Sequence, residues 1–464
     1  MARKILIKGG TVIGRDEARA DILVEGSLIR EIAAEISADA RVIDASGMIV
    51  MPGFVDTHRH LWQTSIRGVA ADWSLVGYIR NIRLGYATGY RPEDVYISTY
   101  VGALEALDSG VTTVCDYCHI IRSPEHADAA IRGLRDAGIR ARFHLGFYDI
   151  PDENPYFKSH ADRCRHLRAV REGSFAGGAK TDLVALGVAM TECNLIPIED
   201  TAAEANLARE LDLPITLHMG TLSTPDGASR LDAAGLLGPD MLHVHCNASS
   251  DDELRLIARS GGALSITPET ELQMGMGIPV TNRALAVGLT PSFGIDIVSD
   301  YSGDMFAQMR IGLQAARAVD NEKVLRTGKM PVDIPLTVRD GFAFATINGA
   351  AAMGLEQSIG SLAPGKKADI ALLAVDGVHH MPPSLDPYAS IVLQARPDDV
   401  RTVIVDGVVR KLDGKLQGAD LPALRERALA SSRHLAKTLA ESAARTGGTN
   451  TATVYAGAVA QATK

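Results

Sequence analysis

The chain has 464 residues, is 46% hydrophobic and 22% charged, and carries a formal net charge of −9. This is the make-up of an ordinary globular enzyme, and the acidic balance argues against nucleic acid or an anionic membrane as main partner. No run reaches bilayer-spanning length, the Met1–Lys8 segment lacks the apolar core of a secretory signal, and five cysteines without framework spacing fit reduced thiols, so a cytoplasmic protein is expected.

In chain order, residues 4–50 alternate short apolar runs such as Ile5-Leu6-Ile7 and Asp21-Ile22-Leu23-Val24 with glycine turns, which predicts antiparallel β structure. The middle then alternates strand-like and helical runs. A helix over 93–109 leads into a strand ending at Asp116, and a helix over 125–137 into one ending at His144. Further strands end near Met190, His218, His245, Thr267 and Asp296; with Phe54–Asp56 they make eight. Eight β-then-α units predict an α/β fold of the closed (β/α)8 type, a TIM-type barrel over residues 51–359. The β texture returns in Ala368–Leu373 and Val403–Val409. Residues 1–50 and 360–420 are therefore expected to form one small β-sandwich domain built from both chain ends. Residues 421–464 read as a helical tail to about Ala443, then as a polar, fraying end.

Three stretches share one chemistry. His58 and His60 end an apolar run, His218 follows Leu213-Pro214-Ile215-Thr216-Leu217, and Asp296 follows Thr290-Pro291-Ser292-Phe293-Gly294-Ile295. Residues two apart on a strand face the same side, so His58 and His60 can grip one ion. Strand C-terminal ends are the catalytic face of such a barrel. Three imidazoles and a carboxylate with a position left for water suit one divalent ion, zinc first, with iron, cobalt or manganese as alternatives.

The ordered set Pro52-Gly53-Phe54-Val55-Asp56-Thr57-His58-Arg59-His60, Leu217-His218, Val244-His245-Cys246, Gly294-Ile295-Asp296 and Gly360-Ser361-Leu362-Ala363-Pro364-Gly365 resembles the amidohydrolase superfamily, in its cytosine-deaminase and chlorohydrolase-like branch. The resemblance implies that His58, His60, His218 and Asp296 hold the metal. It also implies that Asp296 takes a proton from the attacking water and that His245 steadies the developing charge. Binuclear relatives use a carboxylated lysine after the fourth strand; here Leu183–Met190 has none, which favours one metal. His243, deeper in its strand, reads as structural.

Two departures bear on the substrate. Deaminases of this branch carry His-x-x-Glu after the fifth strand, where this chain has His218-Met219-Gly220-Thr221. The expected His and Pro-Tyr motif after the fourth strand is replaced by Met190-Thr191-Glu192-Cys193-Asn194. Glu192 is the candidate for the missing acid. Trp62-Gln63 is similar to an aromatic-Gln pair that meets oxopurines, while Trp62 and Trp73 read equally well as packing. His119 and Thr221 are candidates for the pocket wall, Asp300 and Ser302 for substrate contacts, and Asp304 for a helix cap. Cys115-Asp116-Tyr117-Cys118-His119 fits a haem-attachment pattern, but it ends a predicted barrel strand and is read as pocket wall or support.

Without a ring-nitrogen acid in its usual place, hydrolysis of an amide, urea or carbamate C–N bond ranks slightly ahead of purine, pyrimidine or s-triazine deamination. A catalytically inactive scaffold is the third reading. The expected partner is a small-molecule substrate, with no nucleic acid and no membrane, in a homodimer or higher homo-oligomer.

Overall fold

The computed structural model describes residues 4–14, 19–177, 183–222 and 224–446. Eight strands form a parallel sheet in chain order: β1 (Phe54–Arg59), β2 (Val111–Cys118), β3 (Arg140–Gly146), β4 (Val184–Ala189), β5 (Ile215–Met219), β6 (Met241–His245), β7 (Ala263–Ile266) and β8 (Pro291–Phe293). β1, β2, β5 and β6 are buried along their whole length, which explains why they read as continuous apolar runs rather than alternating ones. Each fully buried Val, Leu or Ile removed from water contributes roughly 1.5–3 kcal/mol. After β8, Asp296 bridges back to Arg59 of β1. His60 N donates to Asp296 O and Asp296 N donates to His58 O, both at 2.8 Å. The expected (β/α)8 barrel is thus closed by the backbone of its own candidate ligands.

The helices between strands begin and end on local signals. Ser250 caps Asp251–Ser260, three acidic residues fill its first turn, and Gly261 at φ 78° ends it. The helices expected over 93–109 and 125–137 are Pro92–Asp108 and Pro124–Ala137, each opened by proline at a position that needs no backbone N–H partner.

The two chain ends build a second, nine-stranded sheet. Its path runs Lys415–Leu416, Val408–Leu412, Val400–Val405, Ile370–Ala374, Met48–Pro52, Lys4–Val12, Arg19–Glu25 and Leu28–Ala33, with Arg41–Asp44 paired beside Lys4–Val12. The sheet curls back on itself, since Ile29 N donates to Lys366 O and Ala368 N to Ser27 O, both at 2.9 Å. Ile5, Ile22, Ile29, Ile370 and Ile404 share its core. The pairing is not wholly antiparallel: Lys4–Val12 runs parallel to both Arg41–Asp44 and Met48–Pro52. The tail forms one helix, Leu421–Thr446, three residues longer than expected, packed on Pro92–Asp108; the rest of the expected fraying end, residues 447–464, lies outside the described residues. Among the described residues, no helix is long and apolar enough to cross a membrane.

Candidate active site at the barrel mouth

Strand ends bring His58, His60, His218, His245 and Asp296 together. One oxygen of Asp296, Oδ1, lies 3.3 Å from Nε2 of both His58 and His60, and Oδ2 lies 3.9 Å from His245 Nε2. His58, His218 and His245 also converge to within 4.8 Å of one another through ring nitrogens. Three of the imidazoles are oriented from behind. Nδ1 of His60 donates to Tyr117 O at 2.7 Å, and Nδ1 of His218 to Glu192 Oε1 at 2.9 Å. His245 Nδ1 meets Thr267 Oγ1 at 3.0 Å and Glu271 Oε1 at 3.3 Å. Such partners fix the tautomer and turn the other nitrogen inward.

The fourth imidazole has no such partner. His58 is fully buried, its Nδ1 has no hydrogen-bond partner among the described residues, and its Nε2 faces Asp296 alone. A buried polar group left this way is costly unless something ligates it. The donor set, imidazole nitrogens beside one carboxylate, fits a single borderline divalent ion. Burial pushes His58 down to about 4 and, together with the His58 ring, pushes His60 well below its ordinary range. Both therefore stand neutral near pH 7, the form in which histidine ligates metals. Burial works against the charge on Asp296, but the surrounding imidazoles, His58 first, hold it well below the usual carboxylate range. His245 is raised: burial opposes its charge, and Glu271 and Asp296 outweigh burial.

The backbone here is unusual too. His245, Cys246 and Asp296 have φ of 74°, 61° and 72°, a region that residues other than glycine seldom enter. Strain of this kind concentrates where a side chain must be aimed. Gly294 lets this turn approach β1, since a Cβ there would sit 2.7 Å from His58 Cβ. Asp56 Oδ1 accepts from Ile295 N at 3.0 Å and ties the same two segments.

A cavity of about 480 Å³ opens above this cluster. His60, His218, His245, Asp296, Glu192, His119 and Thr221 all line it. Its upper walls are apolar, with Leu75, Ile79, Leu222, Met274, Met276 and Ile297. Trp62, Gln63 and Asp300 do not line it. Trp62 Nε1 donates to His119 Nδ1 at 3.0 Å from behind the wall. Gln63 donates to Tyr78 Oη and accepts from Ser299 Oγ, both at 2.7 Å, which uses both ends of its amide. Both lie in the short helix Leu61–Ile66, whose residues are all buried, so the turn after β1 points them inward. Asp300 accepts from Gln273 at 2.8 Å, and burial pushes it up to about 6. Ser302 donates to Asp304, which caps the helix Met305–Leu325 as expected.

Residues not singled out from the sequence complete the wall or back it. Tyr78 and Arg83 line the cavity, and the Arg83 guanidinium donates to His119 O at 3.0 Å. Tyr117 stacks on His218 with ring centroids 4.3 Å apart and donates to Met190 O at 2.7 Å. Glu271 was the most accessible to reasoning: Thr267-Pro268-Glu269-Thr270-Glu271 opens a helix after β7, and Thr267 N donates to Glu271 Oε1 at 2.8 Å. Cys115 and Cys118 are both buried in β2, and Cys115 Sγ pairs with His144 Nδ1 at 3.2 Å, so the haem-like pattern is strand packing.

Comparison with known proteins agrees with this architecture. The amidohydrolase family model matches residues 49–410. A 5-methylthioadenosine/S-adenosylhomocysteine deaminase of Symbiobacterium thermophilum is 31% identical over 87% of this chain and 92% of its own. A 5'-deoxyadenosine deaminase of Methanothermobacter thermautotrophicus is 29% identical over 89% and 94%. Among solved structures, a zinc-bound adenosine deaminase of Xanthomonas campestris superposes with a TM-score of 0.83 at 22% identity, covering 94% of this chain and 99% of that one. A variant of atrazine chlorohydrolase from Arthrobacter aurescens, complexed with zinc and atraton, does so with 0.81 at 22%, covering 92% and 100%. These two structural likenesses carry the fold; the family model and the Symbiobacterium relative carry the lineage. The chain belongs to the amidohydrolase family.

Proposed function

We propose that the protein is a single-metal aminohydrolase that releases ammonia from an amino-substituted nitrogen heterocycle of the adenine-nucleoside type. Both readings from the sequence, carbonyl hydrolysis and ring deamination, break a carbon–nitrogen bond outside a peptide. What moves ring deamination ahead is Glu192. Its Oε1 accepts from His218, while its buried Oε2 has no partner among the described residues and belongs to the cavity wall. A carboxylate there can do the work of the glutamate that Thr221 replaces. The adenosine-type deaminases among the relatives support the same substrate class, and the methionine and aliphatic walls suit an apolar or thioether substituent on the sugar.

One divalent ion, zinc in this reading, would be held by His58, His60, His218 and Asp296 and would supply a water able to attack near neutral pH. Glu192 would pass a proton from the attacking water to the ring nitrogen, which makes the adjacent carbon electrophilic. His245, aimed by Thr267 and Glu271, hydrogen-bonds the oxygen as it adds. Asp296 moves the second proton to the amine, which leaves as ammonia, and the ring carbon becomes a carbonyl. Trp62 and Gln63 support His119 and Tyr78 rather than touching substrate. Retention of the complete donor set favours an enzyme over an inactive scaffold. A cytoplasmic homo-oligomer belongs to the same reading, in line with five free thiols.

The test is product analysis on zinc-loaded protein. Adenosine, 5'-deoxyadenosine and 5-methylthioadenosine form one panel; N-substituted ureas and carbamates form the other. Ammonia from the first panel is expected. Amine or alcohol from the second, with no ammonia from the first, would return the carbonyl reading to first place, where Thr221 on the cavity wall already points.

A further inference from the structure

A second set of metal-ligating side chains lies in the loop that joins Ile370–Ala374 to Val400–Val405. His379 Nε2 and His380 Nε2 both donate to Asp399 Oδ2, at 2.9 and 3.3 Å. The three donor atoms lie within 4.8 Å of one another. We propose that His379, His380 and Asp399 form a second, structural divalent-metal site that takes zinc or another borderline ion.

The convergence is not a by-product of local structure. His379 and His380 are consecutive in a short 3₁₀ turn, Val378–His380, where successive side chains diverge by about 120°. To reach one oxygen, the His379 ring folds back over Gly377, where a Cβ would stand only 2.8 Å from its Cε1. The two rings then lie with centroids 4.3 Å apart, one tilted against the other. Asp399 is fixed independently, accepting from Arg396 N at 2.8 Å.

The distances suit an ion. Zinc bonds of roughly 2.0–2.2 Å at tetrahedral angles put donor atoms about 3.3–3.6 Å apart. The observed 2.9 and 3.3 Å need to open by only a few tenths of an ångström. Two imidazoles and a carboxylate prefer zinc, cobalt, nickel or copper over calcium or magnesium. His380 is 1% exposed and His379 26% exposed, so the site has a buried floor and a solvent-facing entry for ion and water. The ligands would clip the start of a long loop to its end, which is where a cross-link removes most chain freedom. None of the three ligands belongs to the barrel mouth, so this site stands or falls apart from the function proposed above.

The test strips the protein with a chelator, reloads it with a modest excess of zinc, desalts it and counts the metal by plasma mass spectrometry. Wild type is expected to retain one equivalent more than His379→Gln, while ammonia release stays the same in both. Gly377→Ala keeps all three ligands but displaces the His379 ring, and is expected to lose the same equivalent with its circular dichroism unchanged. Equal metal content in wild type and both variants would overturn the site, as would an extra equivalent that survives in His379→Gln.

Discussion

The barrel mouth and the Asp399 loop use the same side-chain chemistry on different supports. At the mouth, each donor comes from the end of a different strand or from the next turn, and the backbone itself links them, as where Asp296 hydrogen-bonds with both His58 and His60. Nδ1 of His60, His218 and His245 is engaged from behind. In the loop, two donors are neighbours in sequence, one carboxylate oxygen takes every hydrogen bond, and His380 Nδ1 has no partner among the described residues. Partners behind a ligating imidazole fix its tautomer and aim it, and so tune an ion for chemistry. The difference fits the two proposals, catalysis at the mouth and a cross-link in the loop.

The largest effect that can break this contrast is loss of one ligand in each place. Asp296→Asn keeps shape and removes a ligand and a proton carrier, so kcat/KM for ammonia release should fall by about 10⁴-fold or more. His379→Gln should leave it unchanged, and a comparable loss there would abolish the distinction. Next in size is Glu192→Gln, expected to lower kcat on an adenine nucleoside by roughly 10²–10³-fold. Adding Thr221→Glu to that variant should recover part of the loss, because both residues line one cavity. No loss in the single variant would mean that the ring nitrogen is protonated by another group. A smaller effect belongs to Glu271, which acts through His245. Glu271→Gln should cost about 10–100-fold in kcat with KM nearly constant. It should also move the ionisation of His245 in the pH profile downward, since Glu271 helps to hold that imidazole raised; an unmoved profile would make Glu271 a packing residue.

How much of this was legible follows from where each residue sits. His58, His60, His218, His245 and Asp296 follow strand-length apolar runs, and a parallel barrel leaves such positions one place to go. The eight strands were readable for the same reason. Trp62 and Gln63 were harder, because whether a short helix after a strand turns its side chains toward solvent or core depends on what packs behind it, here Tyr90 against Trp62 and Tyr78 against Gln63. Glu192 was visible as a carboxylate near a strand end, yet its use depends on a contact with His218 26 residues later. The loop cluster had no readable signal. His379 and His380 look like solvated neighbours until Asp399, 19 residues on, is folded against them.

Charge density separates the two regions in one more way. Glu269, behind the mouth, has its carboxyl pushed up to about 8 by burial first and then by Asp304 and Asp300. It accepts from Gln308 Nε2 at 2.7 Å, a bond that a glutamine in its place can also accept. The folded protein therefore holds a proton on Glu269 that the unfolded chain, with its ordinary carboxyl near 4.5, releases. Between these two values the folded state binds more protons, so this contribution is complete below about 4.5 and lost as pH rises through about 8. Wild type should lose roughly 1–3 kcal/mol relative to Glu269→Gln between pH 5 and 8, read from urea midpoints at each pH. Asp399 faces His379 and His380 rather than other carboxylates, and its ordinary range is lowered rather than raised: burial opposes its charge, and the His379 hydrogen bond leads the interactions that outweigh burial. A difference between wild type and Glu269→Gln that stays flat with pH would mean that the mouth shields its acids as fully as the loop does.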